Sequence, residues 1–329
     1  MTSGRDPIAQ SIHDRLKRAA VEQREDFTAI LARYGNERFL YRLSRTPHRE
    51  RFVLKGAMLF VLWLGRNYRP TQDIDLAGSG EVTEERMRSV FADVCAVKDQ
   101  SDGLFFDPAS ITVEQIREGQ PYRGLRVKVR GKLRRSRINV QVDVGAGDAI
   151  TGDIAEVDYP TLLGQSAPRL KVYPIVTVVA EKFDAMLQLG SANSRMKDFF
   201  DLWLMSRSFQ FDGAVLSDAI RRTCERRQTV ITAQPVCLSD AFMSDTAKQA
   251  LWSAFVRRGR LLDAPGARGL KRERTGLGPW AVRGGQRQKT RPKSEVRSLK
   301  ARHEARLETG DWSKSNNRSV SICARSKAG

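Results

Sequence analysis

Asp73 and Asp75 stand two residues apart in the run Asp73-Ile74-Asp75-Leu76. Side chains two apart in a strand share a face. Both carboxylates then point one way, while Ile74 and Leu76 point to a core. Carboxylates held close together repel, and a divalent cation between them reverses the sign. Mg²⁺ suits such a pair: it takes oxygen ligands, keeps several waters and is held by one or two carboxylates plus substrate phosphates. Just upstream, Lys55-Gly56-Ala57 reads as a turn that Gly56 allows to bend tightly. It opens an apolar helical run from Met58 to Leu64, and free backbone N–H groups at such a turn suit a phosphate. Together these features point to a metal-dependent nucleotide site. The competing reading is a solvated strand face, the usual fate of an isolated pair of aspartates.

Further charged residues stand where charge has consequences. Asp143 lies on the polar side of a strand in which Ile138, Val140, Val142 and Val144 alternate with Asn139 and Gln141. If that strand neighbours the one holding Asp73 and Asp75, three carboxylates converge. Arg126, Lys128 and Arg130 form a cationic row that either shares this face and attracts phosphate or is simply solvated. Lys182 falls in the middle of an apolar helical face made by Val178, Val179, Ala185, Met186 and Leu189. A lysine there either snorkels to water or meets an anion, because an unpaired buried ammonium is costly. Asp198 and Asp201, three apart, share one face of the next helix. The plain alternatives are helix N-terminal charge for Asp198 and surface polarity for Asp201.

The elements that position these residues follow from periodicity. Helices are expected over 8–20 and 25–43, with Ile12, Leu16 and Ala19 on one face and Phe27, Ile30, Leu31, Tyr34 and Phe39 on another. Phe52-Val53-Leu54 is a short strand before the glycine turn. A helix is expected from Thr83 to Val97 and a polar loop from Asp99 to Pro108. Strands follow at Ile111–Ile116, Leu125–Val129 and Ile138–Val144, in an antiparallel or mixed sheet. From about Thr177 the pattern turns helical, ending in helices over 214–226 and 239–258, the last with an apolar face of Leu251, Trp252, Phe255 and Val256.

Bulk properties narrow the chemistry. The 329 residues carry a net charge of +19. From Ala264 on there are 17 Lys+Arg against 5 Asp+Glu, so the body is moderately basic and the tail strongly so. A basic body fits a polyanionic partner, nucleic acid first. No run of 18 apolar residues favours a membrane, and the N-terminus lacks a signal-peptide core. Cys95, Cys224, Cys237 and Cys323 form no CxxC pair, which fits free thiols in a cytoplasmic protein. His13, His48 and His303 lie outside the central region, which argues against a histidine zinc site and Ser-His-Asp chemistry. Carboxylates, lysines and a hard metal are left to do the work. The tail shows no apolar period and is expected to be disordered and dispensable for folding.

In order, LKGA, RPTQDIDLA, NVQVDVGAGD, VAEKFDAML and RMKDFFDLW resemble the motifs of the AbiEii/AbiGii-type nucleotidyltransferase toxins, the MenT-like proteins among them, over roughly residues 8–262. The resemblance implies an α+β fold: a polymerase-β-like mixed sheet with helices, then a helical C-terminal domain. It divides the chain into N-terminal helices (1–50), a nucleotidyltransferase core (51–165), a helical domain completing the active site (166–263) and the basic tail (264–329). It implies that Asp73, Asp75 and Asp143 are metal ligands. Lys55, Gly56, Ala57 and Lys182 would meet the nucleotide, and Lys182, Asp198 and Asp201 would act with Asp73 and Asp75 in catalysis. Ala57 replaces the usual Gly or Ser, so no hydroxyl is offered to the nucleotide there. Two Mg²⁺ ions, an NTP substrate, transfer of NMP to an RNA 3′ end with the tRNA acceptor expected, blocked translation and a cognate antitoxin encoded nearby complete what it implies. The alternatives are a non-catalytic nucleic-acid-binding protein and a nucleotidyltransferase that modifies protein.

Overall fold

Alternating apolar residues build the sheet. Ile138, Val140, Val142 and Val144 are all at most 2% exposed, as are Ile74 and Leu76. Each such side chain contributes about 1.5–3 kcal/mol on burial. A one-residue slip would turn all of them outward, so register is strongly fixed. The structure is a computed structural model and describes residues 6–65, 68–116 and 124–261; the basic tail from Ala264 on lies outside the described residues. The described chain forms two units. One runs up to Asp148 and includes Asp153–Tyr173; the other holds Ala149–Gly152 and the described residues from Pro174 on.

The first unit contains α1 (Pro7–Gln23), α2 (Phe27–Ser44), β1 (Phe52–Lys55), α3 (Leu59–Leu64), β2 (Asp73–Gly78) and α4 (Glu84–Ala96). It continues with β3 (Leu104–Ile116), β4 (Gly124–Leu133), β5 (Ser136–Ala146), β6 (Ala155–Asp158) and β7 (Arg169–Val172). The strands form one mixed sheet in the order β3-β4-β5-β2-β1-β7-β6. β2 pairs parallel with β5 and antiparallel with β1. Helix α2 lies on the core face so closely that a Cβ at Gly35 would sit 2.5 Å from Ile138 Cγ2. Phe39 of α2 stacks on Phe91 of α4 and meets the edge of Phe106 of β3, closing an aromatic core.

The expected polar loop over Asp99–Pro108 holds only as far as Gly103. Leu104 starts a strand that runs to Ile116, with its register shifting between Asp107 and Thr112. Leu104 and Phe106 are buried and Phe105 is exposed, a two-residue alternation too short to stand out before Pro108 interrupts it. α2 also buries more than an apolar face. Arg38 and Arg42 are at most 2% exposed and converge on the fully buried Asp102. Arg42 grips that carboxylate with both terminal nitrogens, at 2.6 and 3.1 Å, and Arg38 reaches Asp99 at 2.7 Å. Removing either side of such a network leaves an uncompensated buried charge, so it pins the segment that leads into β3.

The second unit is helical: α5 (Ile175–Leu189), α6 (Met196–Ser208), α7 (Gly213–Arg226), α8 (Asp240–Ser244) and α9 (Thr246–Gly259). The single helix expected over 239–258 is two. Asp245 takes extended backbone and accepts from the N–H groups of Ala247 and Lys248, capping α9 and ending α8. Trp252 is buried, but Leu251 is 41% exposed and so not part of the packed face. Cys95, Cys224 and Cys237 are buried free thiols; Cys323 lies outside the described residues. Among the described residues no helix is long and apolar enough to cross a membrane.

Candidate active site

In the first unit the sheet itself places the chemistry. Pairing sets Asp143 opposite Asp75, Arg126 opposite Asp143, and Lys55 opposite Asp75. Directly opposed residues share a face. One row across four strands therefore reads Arg126, Asp143, Asp75, Lys55: cation, two carboxylates, cation. The adjacent row sets Asp73 beside Gln141 and Gln141 beside Lys128. Asp73, Asp75 and Asp143 thus lie on one face, on strands that are neighbours.

The turn after β1 is shaped around Asp75. Gly56 has φ +74°, and a Cβ there would lie 2.1 Å from Asp75 Oδ2. Both facts demand glycine: the left-handed backbone disfavours any side chain, and the carboxylate occupies the space of a methyl group. Ala57 follows, nearly buried. Lys55 Nζ meets Asp148 Oδ2 at 2.5 Å, and Tyr173 donates its hydroxyl to the same oxygen at 3.1 Å. Asp148 and Tyr173 are thus two residues at the site that spacing alone does not reveal. Asp148 gives a faint signal, as the end of the Gly145-Ala146-Gly147 turn that follows β5; Tyr173, beyond a strand of four residues, gives none.

Asp143 is held by Arg126 through two parallel hydrogen bonds of 2.9 and 2.8 Å, the planar fork that makes this pairing strong. Gln141 adds a longer hydrogen bond at 3.4 Å. The hydrogen bonds that Arg126 donates to Asp143, and then the charges of Asp143 and Asp73, push its guanidinium further up, so it stays a cation at any working pH. Among the described residues no group of three or more His, Cys, Asp or Glu side chains is arranged to hold a metal ion. Asp73 and Asp75 still supply two hard oxygen donors on one face, and Mg²⁺ commonly takes no more than that from the protein. The donor chemistry fits the metal, with Asp143 bound to Arg126 beside the pair.

The second unit carries the other predicted residues as a separate cluster. Lys182 of α5 meets Asp198 at 3.1 Å and Asp201 at 2.6 Å, both on α6. Arg195 reaches the other oxygen of Asp198 at 2.9 Å. Asp198 and Asp201 are 1% and 0% exposed, so surface polarity does not describe Asp201. Lys182 is 11% exposed and faces this carboxylate pair rather than snorkelling to water. A nearby knot joins Arg227 to Glu181 and the buried Asp184. The residues expected from sequence therefore gather in two sets: Lys55, Gly56, Ala57, Asp73, Asp75 and Asp143 in the first unit, and Lys182, Asp198 and Asp201 in the second.

The chain matches one family model and is similar to several solved structures. The family model described as nucleotidyl transferase AbiEii toxin, type IV TA system, matches residues 38–275. Among solved structures, MenT4, a nucleotidyltransferase toxin from Mycobacterium tuberculosis H37Rv, is similar over 89% of this chain and 98% of its own, with 18% identity and a TM-score of 0.45. JHP933 from Helicobacter pylori covers 77% of this chain and 95% of its own at 14% identity and a TM-score of 0.35. A putative nucleotidyltransferase from H. pylori covers 77% and 96%, at 14% identity and a TM-score of 0.29. No curated protein sequence matches.

Proposed function

The chain belongs to the AbiEii nucleotidyltransferase toxin family of type IV toxin–antitoxin systems, and from that premise we propose that it transfers NMP from an NTP to an RNA 3′ end, with the tRNA acceptor as its target and blocked translation as the result. The observation that carries the reading is the in-register row of Asp143 and Asp75, with Asp73 one step along, against the Gly56 turn. That row gathers negative charge on one sheet face against a glycine turn fitted around the Asp75 carboxylate. The 3′-hydroxyl attacks the α-phosphorus in line and pyrophosphate leaves.

Catalysis of this kind is mostly positioning and charge stabilisation. Asp73 and Asp75 would hold Mg²⁺, with Asp143 beside them. Bound there, the metal would neutralise charge building on the triphosphate and the leaving group. The Gly56-Ala57 turn gives the nucleotide phosphates a close approach. Lys55, fixed by Asp148 and Tyr173, offers positive charge at the edge of the row. Arg126 keeps Asp143 oriented through its two parallel hydrogen bonds. In the second unit Asp198 and Asp201 hold the ammonium of Lys182 in place. A cognate antitoxin is the expected protein partner.

The test is to incubate the full chain with each labelled NTP and total tRNA, with and without Mg²⁺. Label should enter RNA only with Mg²⁺, and Asp75→Asn should abolish it while leaving the melting transition in place. Label on protein would make the chain a protein-modifying transferase. No label with any NTP would leave only nucleic-acid binding.

A further inference from the structure

The polar face of β3, β4 and β5 continues the carboxylate row outward to a hairpin tip. Opposite pairs on that face are Glu114 with Arg126, Thr112 with Lys128, Asp107 with Arg130, and Phe105 with Lys132 on the β3 side. On the β5 side Lys132 faces Arg137 and Arg130 faces Asn139. Arg134 and Arg135, both exposed, form the turn between β4 and β5. Arg126, Lys128, Arg130 and Lys132 are thus successive same-face residues of one strand. Their spacing is about 7 Å, and the row spans about 20 Å.

An exposed charged face is ordinarily just solvated. Three observations argue for more here. Phe105 is 51% exposed at the hairpin end of this polar surface, on the edge strand β3, with Lys132 Nζ 5.2 Å from its ring centre. Among the described residues no carboxylate pairs with Arg130, Lys132, Arg134, Arg135 or Arg137. Glu114 does pair with Lys128, but both are 49% exposed, a pair weak enough for a phosphate to displace. Finally, the cations run without a break into Arg126, which stands in the row of Asp143 and Asp75, with Asp73 one step along.

We propose that this face is the track on which the acceptor RNA lies, its single-stranded backbone following β4 and one base stacking on Phe105. The proposal rests on the reading of the chain as an RNA-directed transferase. A row of cations about 7 Å apart matches the step between phosphates of an extended strand. A sequence-tolerant aromatic platform beside a basic groove is how single strands are held without base readout. The substrate class is therefore RNA with an unpaired 3′ end, gripped by backbone and stacking, with its terminal hydroxyl at the carboxylates.

The test uses the full chain and a fluorescein-labelled single-stranded 12-mer RNA, followed by anisotropy over a salt series. Arg130→Gln/Lys132→Gln/Arg137→Gln should weaken binding at least about tenfold near 0.1 M salt. It should also make the log–log salt slope shallower by about two, since each phosphate that is no longer neutralised removes about 0.7 from a single-strand slope. Phe105→Ala should cost about fivefold or more and Phe105→Trp should restore affinity. All these side chains are exposed, so the melting transition should not move. Unchanged affinity and slope in the triple variant would overturn the track. Transfer assays separate its fate from that of the function. If the unaltered chain labels RNA and the triple variant keeps the same KM for tRNA, the track is wrong and the function stands. If no NTP labels RNA although RNA binds with this salt signature, the function is wrong and the surface stands.

Discussion

Replacing Gly56 by alanine puts a methyl carbon where the Asp75 carboxylate now lies. The new Cβ would sit 2.1 Å from Asp75 Oδ2 and 2.9 Å from Asp75 Cβ, against an ordinary separation of 3.4 Å or more. The two groups must therefore move apart by roughly 1.3 Å. The backbone adds its own cost, because φ +74° is left-handed: about 1–2 kcal/mol for a residue with a Cβ, plus about 1–3 kcal/mol for the overpacking. A displacement near an ångström of a group that positions a reacting centre costs about a hundredfold in rate. Gly56→Ala should then lose about 2–5 kcal/mol of stability by urea denaturation and at least about a hundredfold in transfer. The Asp75→Ala background removes the nearest oxygen, so the stability cost of Gly56→Ala should be smaller there. Wild-type transfer by Gly56→Ala, or an equal cost in both backgrounds, would refute the claim that the turn is shaped around Asp75.

Two further perturbations test the rest of the molecule. Lys182→Met leaves Asp201 without this cation and Asp198 with Arg195; stability should fall by about 3–5 kcal/mol in urea, and a variant as stable as wild type would show the cluster to be energetically idle. Burial pushes the Glu37 carboxyl up to about 7 from 4.5, against the opposing pull of Arg33. Its folded pKa is raised, so its contribution is complete below about 4.5 and is lost as pH rises through 7. Glu37→Gln keeps an acceptor for the Leu162 N–H and removes the titration. Relative to wild type it should gain up to about 3 kcal/mol between pH 5 and pH 8; parallel stability curves over that range would sink the assignment.

Periodicity makes β2, β4 and β5 legible, because each alternates over several residues and the buried set is uniform. It also puts Asp73, Asp75 and Asp143 on polar faces. Pairing is what it leaves open. That Asp143 faces Arg126 rather than standing alone depends on which residues oppose each other across two strands, and register is a property of the folded sheet. The same holds for Arg38 and Arg42: two arginines in a helix read as solvent-facing until Asp102, about sixty positions away, is brought beneath them. β6 and β7 have four residues each, too few for any period to show. Asp245 reads as one more polar residue of a long helix, and only its extended backbone reveals a cap. Lys182 carries a clear sign of an anionic neighbour, since its own helix face is apolar; the identity of that neighbour comes from α6.

The place of β2 in the sheet has a consequence for timing during synthesis. Its partner on one side, β1, precedes it closely, but its partner on the other, β5, is made much later: Asp73 pairs with Gln141. A growing chain that has just released β2 has the two aspartates on a strand pair with both edges open, since β5 and β7 are still to come, and an open edge is a poor frame for a fixed register. The third carboxylate and the arginine that holds it arrive only with β4 and β5. Closing that long loop is slow compared with forming local helices. A fragment truncated before β5 would therefore carry both aspartates and yet no assembled row. The carboxylate row comes into being only when the greater part of the first unit is already complete.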